Sequence, residues 1–142
     1  MIQIIAGDKG KGKTKYLLDK VNTAVKSANG NLVFLDKNTK HMFELSNKVR
    51  LIDVPELPVD NTDEFLGFLC GIVSQDNDLE EVYLDSFLTI AHIPEGNDAE
   101  IERTIAKVEQ LSEKFNIKFV LSVSRDADRL PESVKKYVDI AL

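Results

Sequence analysis

The sequence predicts an α/β protein, a three-layer sandwich with a mostly parallel central sheet. Short β-branched apolar runs alternate with amphipathic helical patterns along the chain, the pattern of parallel strands joined by crossover helices. Most of the runs are apolar throughout rather than alternating, as strands covered on both faces must be. The 142 residues form one domain, 1–142, large enough for a substantial core and too small for two.

Met1 to Ala6 is the first buried strand, ending directly at Gly7. After Thr14, the residues Leu17, Val21, Ala24, Val25 and Ala28 recur at helical spacing, and Asn29-Gly30 supplies a stop. Asn31 to Asp36 is the second strand. Thr39 to Lys48 is expected to form a short helix, and Val49 to Val54 a strand broken off by Pro55 and Pro58. Asn61 and Thr62 offer N-caps for a helix to about Ser74, with Asp63 and Glu64 in its first turn. Gln75 to Glu81 reads as an acidic turn leading into the strand Val82 to Asp85, and 87–97 as a loop. A helix begins at Asp98, with Ile101, Ile105, Val108, Leu111 and Phe115 on one stripe. Lys118 to Val123 is a strand, Pro131 opens a short helix through Lys136, and Val138 to Leu142 is a last short strand.

Ligands of such sheets bind at the carboxyl ends of the strands, where Gly7, Asp36, Asp85 and Ser124 all fall. Gly7-Asp8-Lys9-Gly10-Lys11-Gly12-Lys13-Thr14 also fits the pattern G-x-x-x-x-G-K-[ST], whose chance recurrence in a chain this long is about one in 200 at average residue usage. A strand before it and a helix after it supply the context that the pattern requires. Each residue type has a physical role. Gly7, Gly10 and Gly12 permit tight turns and close backbone approach to phosphate oxygens. The helix start presents free N–H groups and the positive dipole end to an anion. Lys13 is expected to reach the β- and γ-phosphates, and the Thr14 hydroxyl to ligate Mg²⁺. Asp8, Lys9 and Lys11 complete the loop, and Lys15 adds charge beside it. A Gly/Lys-rich surface turn is the plain alternative.

The net charge of −6 is unevenly spread. Residues 1–50 carry ten Lys/Arg against four Asp/Glu; residues 51–100 carry no Lys/Arg and thirteen Asp/Glu; residues 101–142 carry eight against seven. The basic third coincides with the glycine-rich loop and suits a polyanion. The acidic third is expected to be solvated helix ends and loops, or a docking face for a basic partner. No overall basic character supports nucleic-acid binding. No apolar run reaches membrane-spanning length and the chain starts with a strand, so neither a membrane segment nor a signal peptide is expected and a cytoplasmic location is. The single cysteine, Cys70, excludes an intrachain disulfide and lies in an apolar stretch, Phe65 to Val73, where a buried small side chain is expected. His41 and His92 have no apparent partners and are read as surface residues.

With the Walker A pattern at 7–14, the chain resembles P-loop NTPases, and within them the RecA-like branch. Glu81-Val82-Tyr83-Leu84-Asp85 resembles a Walker B strand, and Asp85-Ser86 its ending in RecA-like proteins. The resemblance implies ATP or another nucleoside triphosphate with Mg²⁺, the metal held by Thr14 and Asp85. It places Ser124, beyond the strand Lys118 to Val123, as a sensor of the γ-phosphate. Arg125 is a candidate to stabilise that phosphate, although Arg125-Asp126-Ala127-Asp128-Arg129 reads equally as a solvated charged loop. Many ATPases of this branch place a water-activating glutamate directly after the Walker B aspartate, where this chain has Ser86. Others place it at the end of the second core strand, where Asp36 stands as candidate base. The chain also resembles a group of short uncharacterised P-loop proteins sometimes labelled twitching-motility ATPases, although pilus-retraction ATPases are much longer and carry Asp- and His-box motifs absent here.

Three functions remain open on this reading. The first is a small RecA-like ATPase or nucleotide-dependent switch with slow intrinsic hydrolysis and an unidentified protein partner. Such motors usually act as homo-oligomers with an arginine supplied by the neighbour; Arg103, Arg125 and Arg129 are available. The second is a non-catalytic nucleotide-binding or scaffold protein, favoured by the missing glutamate. The third is a small-molecule or nucleoside kinase, against which stand Ser86, the single cysteine and a segment 51–100 with no lysine or arginine to close over phosphates.

Overall fold

A computed structural model describes all residues 1–142. Six strands, β1 (Ile2–Ala6), β2 (Asn31–Asp36), β3 (Arg50–Asp53), β4 (Leu79–Leu84), β5 (Lys118–Val123) and β6 (Val138–Ala141), form one sheet in the order β3-β2-β4-β5-β1-β6. Every neighbouring pair is parallel, so the expected mostly parallel sheet is wholly so. Helices α1 (Lys13–Ala24), α2 (Thr62–Gln75), α3 (Phe87–Ile90), α4 (Asp98–Phe115) and α5 (Glu132–Lys135) connect and cover it.

Side-chain alternation along the strands divides the core into two layers. Ile5, Leu32, Phe34, Tyr83 and Val120 pack with Leu17, Leu18 and Val21 of α1. Ile4, Val33, Leu35, Val82, Leu84, Phe119 and Leu121 pack on the other face with α2 and α4. Helices therefore cover both faces, an arrangement compatible with a three-layer sandwich. Phe34 and Tyr83 stack at 6.5 Å between centroids under α1. The side chain of Asn61 accepts from Glu64 N at the start of α2, and that of Asn97 from Glu100 N at the start of α4; each satisfies an otherwise orphaned donor.

Several expectations need correcting. The segment 39–48 is not a helix but a run of turns. It points Leu45 and Val49 inward at the α1 layer, and the Asn22 side chain on α1 binds Glu44 O and Ser46 N at 2.8 and 2.9 Å, satisfying its backbone without helical bonds. Helix α1 stops at Ala24, short of the Asn29-Gly30 stop. Strand β4 starts at Leu79, three residues before the expected Val82, because Leu79 is buried and Glu80 accepts from Gly30 N at 3.0 Å. Residues 87–90 form a helical turn rather than part of a loop; its N-cap Ser86 is left-handed at φ 53°. Cys70 is exposed rather than buried, since α2 turns Phe65, Leu66, Leu69 and Val73 inward and leaves Cys70 on the far face. Phe115 closes the α4 stripe in sequence, yet it is 44% exposed at the helix end. His41 does have a partner: its Nδ1 lies 2.7 Å from Glu44 Oε2.

Candidate functional site

The segment between β1 and α1 is built for close approach. Gly10 and Gly12 have φ of 89° and 85°, a region where a side chain is strained. A Cβ on Gly7 would lie 3.0 Å from Leu142 Cβ. Gly12 caps α1 without any side-chain hydrogen bond, so the first N–H groups of this twelve-residue helix are left for solvent or an anion. Lys13 is 7% exposed and its Nζ donates to Asp8 O at 3.1 Å, folding back over its own loop. Burial lowers its pKa from the ordinary lysine value, against the pull of Asp85 and Asp8.

Strand register delivers the other half of the site. Asp85 follows Leu84, and its N–H bonds Leu35 O at 2.9 Å, which holds it in line at the carboxyl end of the sheet. On the α1 face, the Thr14 hydroxyl donates to Asp85 Oδ2 at 2.9 Å and the Ser122 hydroxyl to Oδ1 at 2.5 Å. Ser122 Oγ also accepts from Ser86 N at 2.8 Å. Since β5 lies between β1 and β4, Ser122 occupies the position between the loop and the carboxylate. With its proton committed to Asp85, the Thr14 oxygen has its lone pairs free for a cation.

These groups line a cleft of about 310 Å³ together with Lys9, Gly10, Gly12, Lys13, Lys37, Thr89 and Ser124; none of its lining residues is apolar. Drug-sized pockets are mostly apolar, so this lining suits a highly charged group. No cluster of three or more His, Cys, Asp or Glu converges in the molecule. The oxygen-only pair of Thr14 and Asp85 fits a hard cation that brings most of its ligands with it, as Mg²⁺ does on a polyphosphate.

Lys9, Gly10, Gly12, Lys13, Thr14, Asp85 and Ser124 thus meet in one cleft; Gly7 is buried and Lys11 exposed, and neither lines it. Asp8 and Lys9 border a neighbouring groove with Ser124, Arg125 and Arg129. Arg125 does not line the cleft; it pairs with Asp98 at 2.6 Å. Arg129 pairs with Asp8, also at 2.6 Å.

Asp36 is 2% exposed and likewise outside the cleft lining. Its Oδ1 accepts from Lys37 N at 2.7 Å, whereas Oδ2 is buried without a partner. Burial, then the neighbouring Asp85, pushes its pKa up to about 6. Sequence reasoning missed Ser122, Lys37 and Thr89. Ser122 had a signal: it is the one polar residue within the run Phe119 to Val123.

No protein-family model and no curated protein matches this chain. No helix is long and apolar enough to cross a membrane.

Proposed function

We propose that the chain binds a nucleoside triphosphate, ATP foremost, with Mg²⁺ at the β1–α1 loop, and works as a small ATPase or nucleotide-dependent switch with slow intrinsic turnover and a protein partner. The observation that carries this reading is the Thr14–Asp85 hydrogen bond, which brings the last residue of the loop motif against the carboxylate that the Walker B resemblance singles out. Gly10, Gly12 and the free start of α1 supply N–H groups for phosphate oxygens, and Lys13 is the cation that leaves Asp8 O to meet them. Thr14 and Asp85 would hold Mg²⁺, whose charge would draw electron density from the phosphate oxygens. Ser122 fixes the Asp85 carboxylate, and Ser124, which lines the same cleft, would meet a terminal phosphate. This nucleotide assignment rests on the P-loop NTPase, RecA-like resemblance together with that cleft.

One observation favours slow or absent hydrolysis, and with it the non-catalytic alternative. Asp85 is the only carboxylate lining the cleft, and this reading gives it to Mg²⁺, which leaves no second carboxylate there as a base beside an attacking water.

The test is thermal denaturation with and without Mg·ATP. Ligand at a hundred times its Kd adds about 2.7 kcal/mol; for 142 residues that is a rise of roughly 9 °C in Tm. Lys13→Ala should abolish the rise. An unchanged melting profile in millimolar Mg·ATP would sink the proposal. Phosphate release that is lost in Asp85→Asn separates the ATPase from the passive binder.

A further inference from the structure

Aspartates end three neighbouring strands at one end of the sheet. Asp36 pairs in register with Asp53 on one side. On the other side Leu35 pairs with Leu84, so the next residues, Asp36 and Asp85, stand beside each other. Phe34 and Tyr83 belong to the α1 layer, and Leu35 and Leu84 to the opposite one. By alternation the Asp36 and Asp85 side chains both return to the α1 face. Neighbouring strands lie about 4.8 Å apart, a separation at which two carboxylates can share one ion.

The protein's own groups leave this charge uncompensated. None of the three aspartates takes part in an ion pair. Asp36 is 2% exposed, and its Oδ2 is buried with no partner, as is Oδ1 of Asp53. A buried oxygen of this kind costs free energy until something meets it. Asp85 is near enough to make Asp36 hold its proton more tightly. The two cations at hand are engaged elsewhere: His41 on Glu44 and Lys13 on Asp8 O. The Thr14 and Ser122 hydroxyls both give their protons to Asp85, so they offer an ion oxygen lone pairs only. Small hard cations use such sets, one or two carboxylates with hydroxyl oxygens and water completing an octahedron.

We propose that Asp36 is a second carboxylate ligand of the divalent cation at Asp85, and that the free protein takes up this cation ahead of any nucleotide. The ion gives Asp36 Oδ2 its missing partner and turns the repulsion between two adjacent carboxylates into a shared attraction. The proposal rests on Asp85 as a cation ligand, and it stands apart from whether a nucleotide binds.

Mn²⁺ is the probe. It is titrated into chelator-treated protein at pH 8 without nucleotide, and the free-ion electron paramagnetic resonance signal is followed. One site per chain should appear, and Mg²⁺ should compete for it. Asp36→Asn and Asp85→Asn should each weaken it about tenfold or more, as loss of even an outer-shell partner does. Mg²⁺ alone should raise the Tm of the wild type and leave that of Asp36→Asn unchanged; melting in chelator checks that the variant is folded. Absence of a stoichiometric site, or a site that Asp36→Asn leaves intact, would overturn the proposal. Stabilisation by Mg·ATP in a protein without that site would sink this inference and spare the nucleotide reading. A site lost in Asp36→Asn, in a protein indifferent to ATP, would do the reverse.

Discussion

Asp36→Asn should make the free protein more stable above neutral pH, although it removes a charge from a motif-rich region. The substitution keeps the shape of a side chain that is 2% exposed. It keeps an acceptor for Lys37 N and replaces the unpartnered Oδ2 with an amide that no longer repels Asp85. The folded carboxyl, at about 6 against its ordinary 3.8, binds its proton more tightly than the unfolded one. Its contribution to stability is therefore fully present below about pH 4 and is lost as pH rises through about 6. At about 1.36 kcal/mol per pH unit, the wild type at pH 8 forgoes on the order of 3 kcal/mol that the asparagine variant retains, and at pH 4 less than about 1 kcal/mol. For a chain of 142 residues the advantage is roughly 10 °C in Tm at pH 8 and about 2 °C at pH 4. Melting both proteins by circular dichroism from pH 4 to 8, in chelator and without nucleotide, reads it directly. An equal shift at both ends, or a loss at pH 8, would refute the assignment of Asp36 as a buried, uncompensated carboxyl.

Two further outcomes are expected. Gly30→Ala should cost about 1–3 kcal/mol by overpacking, because a Cβ there would lie 2.0 Å from Asp78 O and the backbone must move; urea titration measures it. Exposed Cys70 should react stoichiometrically with a thiol reagent in the native protein, without prior denaturation, and Cys70→Ser should change Tm by less than about 2 °C, as surface substitutions do.

The strands that were legible are those with continuous apolar runs and polar ends. Asn31–Asp36 and Lys118–Val123 fall where the residues place them. Leu79–Glu81 was hidden because acidic side chains on a strand read as a turn; their strand character comes from pairing with β2, which is non-local. Segment 39–48 misleads for a related reason: besides its own turns, it is held by burial of Leu45 and by the Asn22 amide on α1, partners that no local pattern reveals. Cys70 shows the limit of composition, since Phe65 to Val73 is apolar almost throughout and only helical phase says which residues face inward. In the cleft, the residues of the loop and Asp85 were legible as a motif and a strand end. Ser122 showed only as a polar residue in an apolar run; its role depends on β5 lying between β1 and β4, and strand order is not written in any one segment.

That strand order has a consequence for folding. Thr14 and Asp85 are 71 positions apart, and their contact also requires β5, which comes later still in the chain. Such long-range closure is slow to form. The hydroxyl–carboxylate pair exists only once the middle of the sheet is assembled, so a half-folded chain carries the glycine-rich sequence without the cleft. Any ligand that needs both halves selects finished molecules, and it stabilises the whole sheet rather than the loop it touches.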